Sequence, residues 1–170
     1  MRMVARRSSV PRFNACFLPV VRVGAYVLTY KPLVAALLDL MGKTAVEVRI
    51  LYDRRFCYSS ADTLEAIVML ARAGATVKHL RSYSMHIKMV CVDNSYCWSG
   101  SGNFGESAIT RNAELNTEII GNVADACDIF DKYFDGGGRD EKWHQSVQPT
   151  ELELDEMSLK ALQLRERQAS

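Results

Sequence analysis

No apolar run in this sequence reaches the roughly 18 residues that a membrane-spanning helix needs. The best candidate, FLPVVRVGAYVLT at residues 17–29, is broken by Arg22, so the chain is expected not to cross a bilayer. A bulk excess of charge is missing as well: 21 basic side chains stand against 20 acidic ones, a net charge of +1. Any affinity for a polyanion must come from a local cluster. The five cysteines, Cys16, Cys57, Cys91, Cys97 and Cys127, are odd in number and form no C-x-x-C pair. That argues against a disulfide framework and a zinc knuckle, and for reduced thiols. No grouping of Asp, Glu and His has metal-ligand spacing, so neither a metal nor a cofactor is expected. Acidic residues are absent from the first 38 positions, where Arg2, Arg6, Arg7 and Arg12 occur with two serines. Organellar transit peptides share that composition, but strand-like sequence follows almost at once. A short basic start is the plainer reading, with a cytoplasmic location expected and a mitochondrial one as the alternative.

What is present is ordinary globular material, 48% apolar and 24% charged over 170 residues, enough for one domain with a core. VVRVGAYVLT reads as a buried strand. KPLVAALLDLMGK follows as a helix, with Pro32 in its first turn, Leu33, Leu37, Leu38 and Leu40 at helical spacing, and Gly42 as a stop. AVEVRILYD alternates as a second strand, SSADTLEAIVMLARAG opens on capping serines and closes on Gly74, and ATVKHL is a third strand. LNTEII is a later strand, and NVADACDIFDKYF a helix with Val123, Cys127, Phe130 and Phe134 on one face. The alternation implies an α/β fold, a mixed, largely parallel β-sheet flanked by helices on both faces. Residues 1–20 form a basic start and 21–143 the main domain. Residues 144–170 form a polar linker and an amphipathic helix, with Thr150 and Glu153 at capping-box spacing and Leu152, Met157, Leu159 and Leu162 as its apolar contacts.

One stretch exceeds what a core requires: MHIKMVCVDNSYCWSGSGN, residues 85–103. As a strand, MHIKMVCV places His86 and Lys88 on one face; DNS is a turn and YCWS a returning strand. Pairing about that turn sets Lys88 across from Gly100 and His86 across from Gly102, with Ser101 and Asn103 at the same end. The two glycines would leave room above the sheet. A lone histidine in a strand is most simply a hydrogen-bonded structural residue. A cation, an imidazole, a hydroxyl and an amide converging without carboxylates suit a tetrahedral anion such as phosphate. A neutral imidazole can attack phosphorus, and a second copy can protonate the leaving oxygen.

The pattern H-x-K-x4-D-x6-G-S-x-N, carried by His86, Lys88, Asp93, Gly100, Ser101 and Asn103, resembles the HKD motif of the phospholipase D superfamily. Its flanks are similar to those of single-motif members over about residues 21–134. The resemblance implies His86 as the nucleophile that forms a phosphohistidine, Lys88 and Asn103 as the phosphate clamp, and Ser101 as a supporting hydroxyl. It implies Glu114 as the acid that orients the imidazole, with Glu118 the competing choice. Asp93 completes the motif but falls in the turn, where ordering the hairpin is its expected role. One motif implies half a site, hence a homodimer with a shared centre. Family members carry an extra strand and helix before the segment resembling VGAYVLT, so a shortened start with one poorly covered sheet edge is also implied. The expected activity is metal-independent phosphodiester cleavage, with nucleic acid, DNA or RNA, as the substrate and phospholipid such as cardiolipin as the alternative. Lys88, Arg54, Arg55, Arg81 and Arg111 are candidates to line the approach, a solvated surface being the equal alternative for the arginines.

Overall fold

The computed structural model describes residues 18–81, 84–136 and 145–170. Cys16 and the basic start up to residue 17, most of the glycine run after Gly136, and Trp143 lie outside them. Strand β1 (Val20–Ala25) leads to helix α1 (Lys31–Lys43), β2 (Glu47–Tyr52), the short α2 (Arg54–Cys57), α3 (Ala61–Arg72) and β3 (Thr76–Leu80). Then come β4 (Lys88–Val92), β5 (Tyr96–Gly100), the short α4 (Glu106–Thr110), β6 (Asn116–Ile120), α5 (Ala124–Phe134), β7 (Ser146–Val147) and α6 (Glu151–Ala169). No helix among the described residues is long and apolar enough to cross a membrane.

Local chemistry accounts for most boundaries. Ser60 Oγ accepts from the Thr63 N–H to start α3, and Gly74, at φ 108°, turns the chain out of it. Thr150 and Glu153 close the expected capping box on α6. Gly42 does not stop α1, which runs on to Lys43 and ends where Thr44 turns extended and its N–H reaches the Leu40 carbonyl.

The strands form one sheet in the order β6-β5-β4-β1-β2-β3-β7. The mixed α/β sheet is as expected, but its parallel part is confined to β1–β2 and β2–β3. Every other pairing is antiparallel, because only the helical crossovers through α1 and α3 return the chain to its starting end. One face of the sheet carries Val23, Ile50 and Val77 against α1, α3 and α6. The other carries Leu51, Met89, Cys91 and Cys97 against α5, where Val123, Cys127, Phe130 and Phe134 are buried as their spacing predicted. Burial of each phenylalanine stabilises by about 1.5–3 kcal/mol. Cys57, Cys91, Cys97 and Cys127 are buried free thiols.

Helix α6 buries Leu154, Met157 and Ala161, at i, i+3 and i+7 on one stripe. Leu152, Leu159 and Leu162, expected as contacts, are instead exposed on the opposite side. Ion pairs from Arg72 to Asp155 and from Arg165 to Asp62 and Glu65 fix α6 along α3. Strand β7 covers the outer edge of β3, while β6 is an open edge with all five residues exposed.

Candidate active site

Strand β3 ends at the carboxyl end of the parallel strands, and β4 starts from that same end on the far edge of β1, so residues 84–87 stand at the rim where strand order reverses. That is where open α/β sheets gather ligands. Two anchors hold this segment. Asp53, buried at the end of β2, accepts the Met85 N–H through Oδ2 at 2.9 Å and the Phe56 N–H through Oδ1 at 2.7 Å. Tyr26, just past β1, meets the His86 ring edge-on with centroids 4.7 Å apart, and stands 5.0 Å from Phe56.

His86 therefore precedes β4 rather than lying in it, contrary to the strand reading of MHIKMVCV. Its would-be partner strand, β1, ends at Ala25, opposite Lys88. Strand β4 pairs Met89 with Ser99, which carries Lys88 to Gly100 as predicted. The histidine and the lysine still meet. His86 is exposed, while Lys88 is only 5% exposed. Lys88 Nζ lies 2.8 Å from both ring nitrogens of His86, 2.9 Å from the His86 carbonyl and 5.3 Å from the Tyr26 ring centre. Burial lowers the lysine pKa, and the charge of Glu114 opposes that shift.

Ser101 and Asn103 stand at the same end of the hairpin. Ser101 Oγ donates to Glu114 Oε2 at 2.5 Å and accepts the Leu115 N–H at 3.0 Å. That hydroxyl first, and the Asn112 amide next, hold the Glu114 carboxyl below its usual range. The expected contact from Glu114 to the His86 ring is not formed within the chain; Glu114 acts on Ser101 and, through its charge, on Lys88. Glu118 is farther off, paired with Tyr96. Asn103 Oδ1 is buried with no partner among the described residues.

Gly100 does not serve to clear space above Lys88. A Cβ there would stand 2.3 Å from Asn116 Oδ1 and 2.4 Å from the Leu115 carbonyl, so its role is to let β6 close on the motif. Asn116, which motif reading missed, accepts the Gly102 N–H at 3.1 Å. Tyr26 and Asp53 were missed too, although a polar residue at the carboxyl end of a parallel strand is a usable signal.

Asp93 lies at the other end of β4, in the turn, with φ 49°. It is not brought to the site. Its Oδ1 accepts the Val20 N–H at 2.9 Å, and its carbonyl accepts from Arg22 Nη1 at 3.2 Å and from the Cys127 thiol. Arg22 is held in turn by Asp131 at 2.7–3.0 Å.

Two clefts open along the rim. One, about 420 Å³, is lined by Leu80, Ser84, Met85, His86, Ile87, Ile129 and Tyr133. The other, about 380 Å³, is lined by Arg54, Arg55, Tyr58, Leu80 and Arg81. Leu80 is common to both. Arg111 is elsewhere, at the end of α4 against Ser107.

Residues 20–136 match the family described as cardiolipin synthase, PLD-like domain. No curated protein sequence matches significantly. Among solved structures, the chain is similar to the phospholipase D family member Nuc from Salmonella typhimurium, at 26% identity and a TM-score of 0.62 over 76% of this chain and 81% of that one. NucT from Helicobacter pylori shares the fold at 17% identity and a TM-score of 0.58, over 66% of this chain and 77% of that one. The family match takes in six of the seven strands, the β4–β5 hairpin with His86 just ahead of it, and helix α5, and on that ground the chain belongs to the PLD-like domain family.

Proposed function

We propose that the chain is a metal-independent phosphodiesterase that cleaves nucleic-acid phosphodiester bonds through a phosphohistidine, in a homodimer whose two His86 copies share one centre. The observation that carries the reading is an exposed imidazole backed by a buried ammonium 2.8 Å away. The unprotonated imidazole is the form that attacks phosphorus, and the ammonium beside it is placed to draw in the phosphoryl oxygens. In the first step a His86 nitrogen bonds to phosphorus and the bond to the leaving oxygen breaks; a protonated second imidazole gives that oxygen its proton. Water then attacks phosphorus, the same second imidazole takes the water's proton, and the P–N bond breaks. Lys88 neutralises charge on the phosphoryl oxygens. Rotation of the Asn103 amide would exchange its unpartnered Oδ1 for an N–H donor to the same oxygens.

A dimer supplies the second imidazole. His79, the other described histidine, is buried and bonded to the Leu80 carbonyl. Ile109, Leu115 and Ile120, exposed at 46%, 81% and 82%, offer apolar surface on the segments that flank the motif.

The apolar lining of the His86 cleft, with Met85, Ile87 and Ile129, favours phospholipid as a second reading, because acyl chains would lie against it. The arginine-lined cleft beside it favours nucleic acid. Cleavage assays on RNA, single-stranded DNA, duplex DNA and cardiolipin vesicles, each with and without chelator, test both. Turnover of a nucleic acid unaffected by chelator is expected; turnover of cardiolipin alone would replace the first reading with the second, and activity restored only by added metal would end the mechanism.

A further inference from the structure

Seven of the guanidinium groups among the described residues fall into two sets. Arg22, Arg49, Arg72 and Arg165 each pair with carboxylates at 3.1 Å or less. Arg54, Arg55 and Arg81 are exposed and line one cleft, with no ion pair among the described residues. Three like charges held together without a paired carboxylate repel one another unless an anion joins them. The nearby acids are committed elsewhere: Asp53 is buried on two backbone N–H groups, and Glu153, whose field reaches Arg54, closes the capping box on Thr150.

The fold places this cluster in line with the site. Arg54 and Arg55 follow β2 and Arg81 follows β3, while His86 stands above the end of β1. Adjacent strands are about 4.8 Å apart, so the ends of β2 and β3, which these arginines follow, lie roughly 5–10 Å along the rim from the end of β1, beside which the His86 ring stands. Aromatic rings alternate with the charges. Arg54 Cζ lies 5.3 Å from the Tyr58 ring centre, inside the arginine cleft, and Phe56 stands against Tyr26 next to His86. Rings between cations fit unstacked bases, whose faces are free; the bases of a duplex have no free faces.

We infer that Arg54, Arg55 and Arg81 form a second phosphate subsite, which engages a single-stranded nucleic acid one or two nucleotides away from the phosphodiester at His86. The inference rests on the phosphodiesterase reading for its functional meaning, but it is tested by binding alone. The full chain carrying His86→Ala is titrated with fluorescent single-stranded and duplex oligonucleotides and with cardiolipin vesicles over a range of salt. The probe series is repeated after Arg54→Gln, Arg55→Gln and Arg81→Gln together, with Arg167→Gln at the end of α6 as the charge control and circular dichroism to check the fold. Should the triple variant misfold, Arg55→Gln with Arg81→Gln replaces it.

The expected result is tighter binding of single strand than of duplex. Affinity should drop at least tenfold in the triple variant, and the salt slope should fall by about 2, near 0.7 for each lost contact. Binding indistinguishable from the Arg167→Gln control overturns the subsite. So does loss confined to cardiolipin vesicles, or equal binding of duplex. A chain that hydrolyses bis(p-nitrophenyl) phosphate yet binds oligonucleotide regardless of the three arginines loses the subsite and keeps the catalytic reading. One that binds through them and hydrolyses no diester keeps the subsite and loses the catalytic reading.

Discussion

His86 and Lys88 place a ring in solvent and a charge out of it, two residues apart. The consequence for mutation is asymmetric. His86→Ala removes the proposed nucleophile but little buried area, so turnover should fall at least about 10³-fold while unfolding free energy from urea melts stays within about 0.5 kcal/mol of wild type. Retained turnover would refute the assignment. Ser101 and Glu114 make one unit, a hydroxyl donating to a carboxylate. Ser101→Ala and Glu114→Gln are each expected to lower kcat more than they raise KM, and the double variant to lose no more than the worse single one. Additive losses would show that Glu114 reaches the chemistry by another route. His86, Lys88, Ser101 and Asn103 were legible because a motif is a local spacing. The partner of Glu114 was not, because it depends on how the chain after Ser101 folds back, with the Ser101 hydroxyl holding the Leu115 N–H.

The β4–β5 hairpin is tied at both ends, by Gly100 and Asn116 near the site and by Asp93, Arg22 and Asp131 at the turn. Gly100→Ala forces a methyl group into the Asn116 and Leu115 backbone. It should cost about 1–3 kcal/mol in urea melts and lower turnover as well, since Ser101 moves with the strand; unchanged stability would mean that β6 can step aside. At the turn end, burial alone would raise the Asp131 carboxyl. The hydrogen bond and charge of Arg22, with the charge of Arg49, outweigh it and hold the carboxyl below the usual range. A depressed folded-state value means that this stabilisation is present in full above the unfolded-state value of about 3.9 and lost as pH falls through the lower folded-state one. Urea melts between pH 6 and pH 2 should show that acid limb. Asp131→Asn should flatten it and cost about 2 kcal/mol at pH 7, by leaving Arg22 without its carboxylate and Arg49 with Glu47 alone. An unchanged limb in the variant would assign the acid sensitivity to other groups.

For the whole molecule, the proposal of a shared centre makes a stoichiometric prediction. When equal amounts of wild-type and His86→Ala chains exchange freely, only wild-type pairs hold both imidazoles. Activity should settle near a quarter of the all-wild-type value at the same total protein. Independent sites would leave about half, and a chain that stays monomeric and active on dilution would remove the shared centre altogether. Mass-tagged subunits verify that exchange is complete.

Sequence by itself determined the four longer helices, most strand positions, the capping box, the pairing of Lys88 with Gly100 and the HKD spacing, because each is set by neighbours a few residues apart: an apolar period, a cap, a turn, a motif. It also named Arg54, Arg55, Arg81 and Arg111 as one loose group. Only the tertiary structure separated Arg111 from the other three, turned most of the sheet antiparallel, exposed Leu152, Leu159 and Leu162, and set Tyr26, Asp53 and Asn116 around the motif. Those outcomes depend on which strand edge β4 pairs with and which face α6 presents. Strand pairing is made by backbone hydrogen bonds common to every residue, and helix facing is chosen among several apolar stripes by the partner surface. Neither choice is written in the local run of side chains.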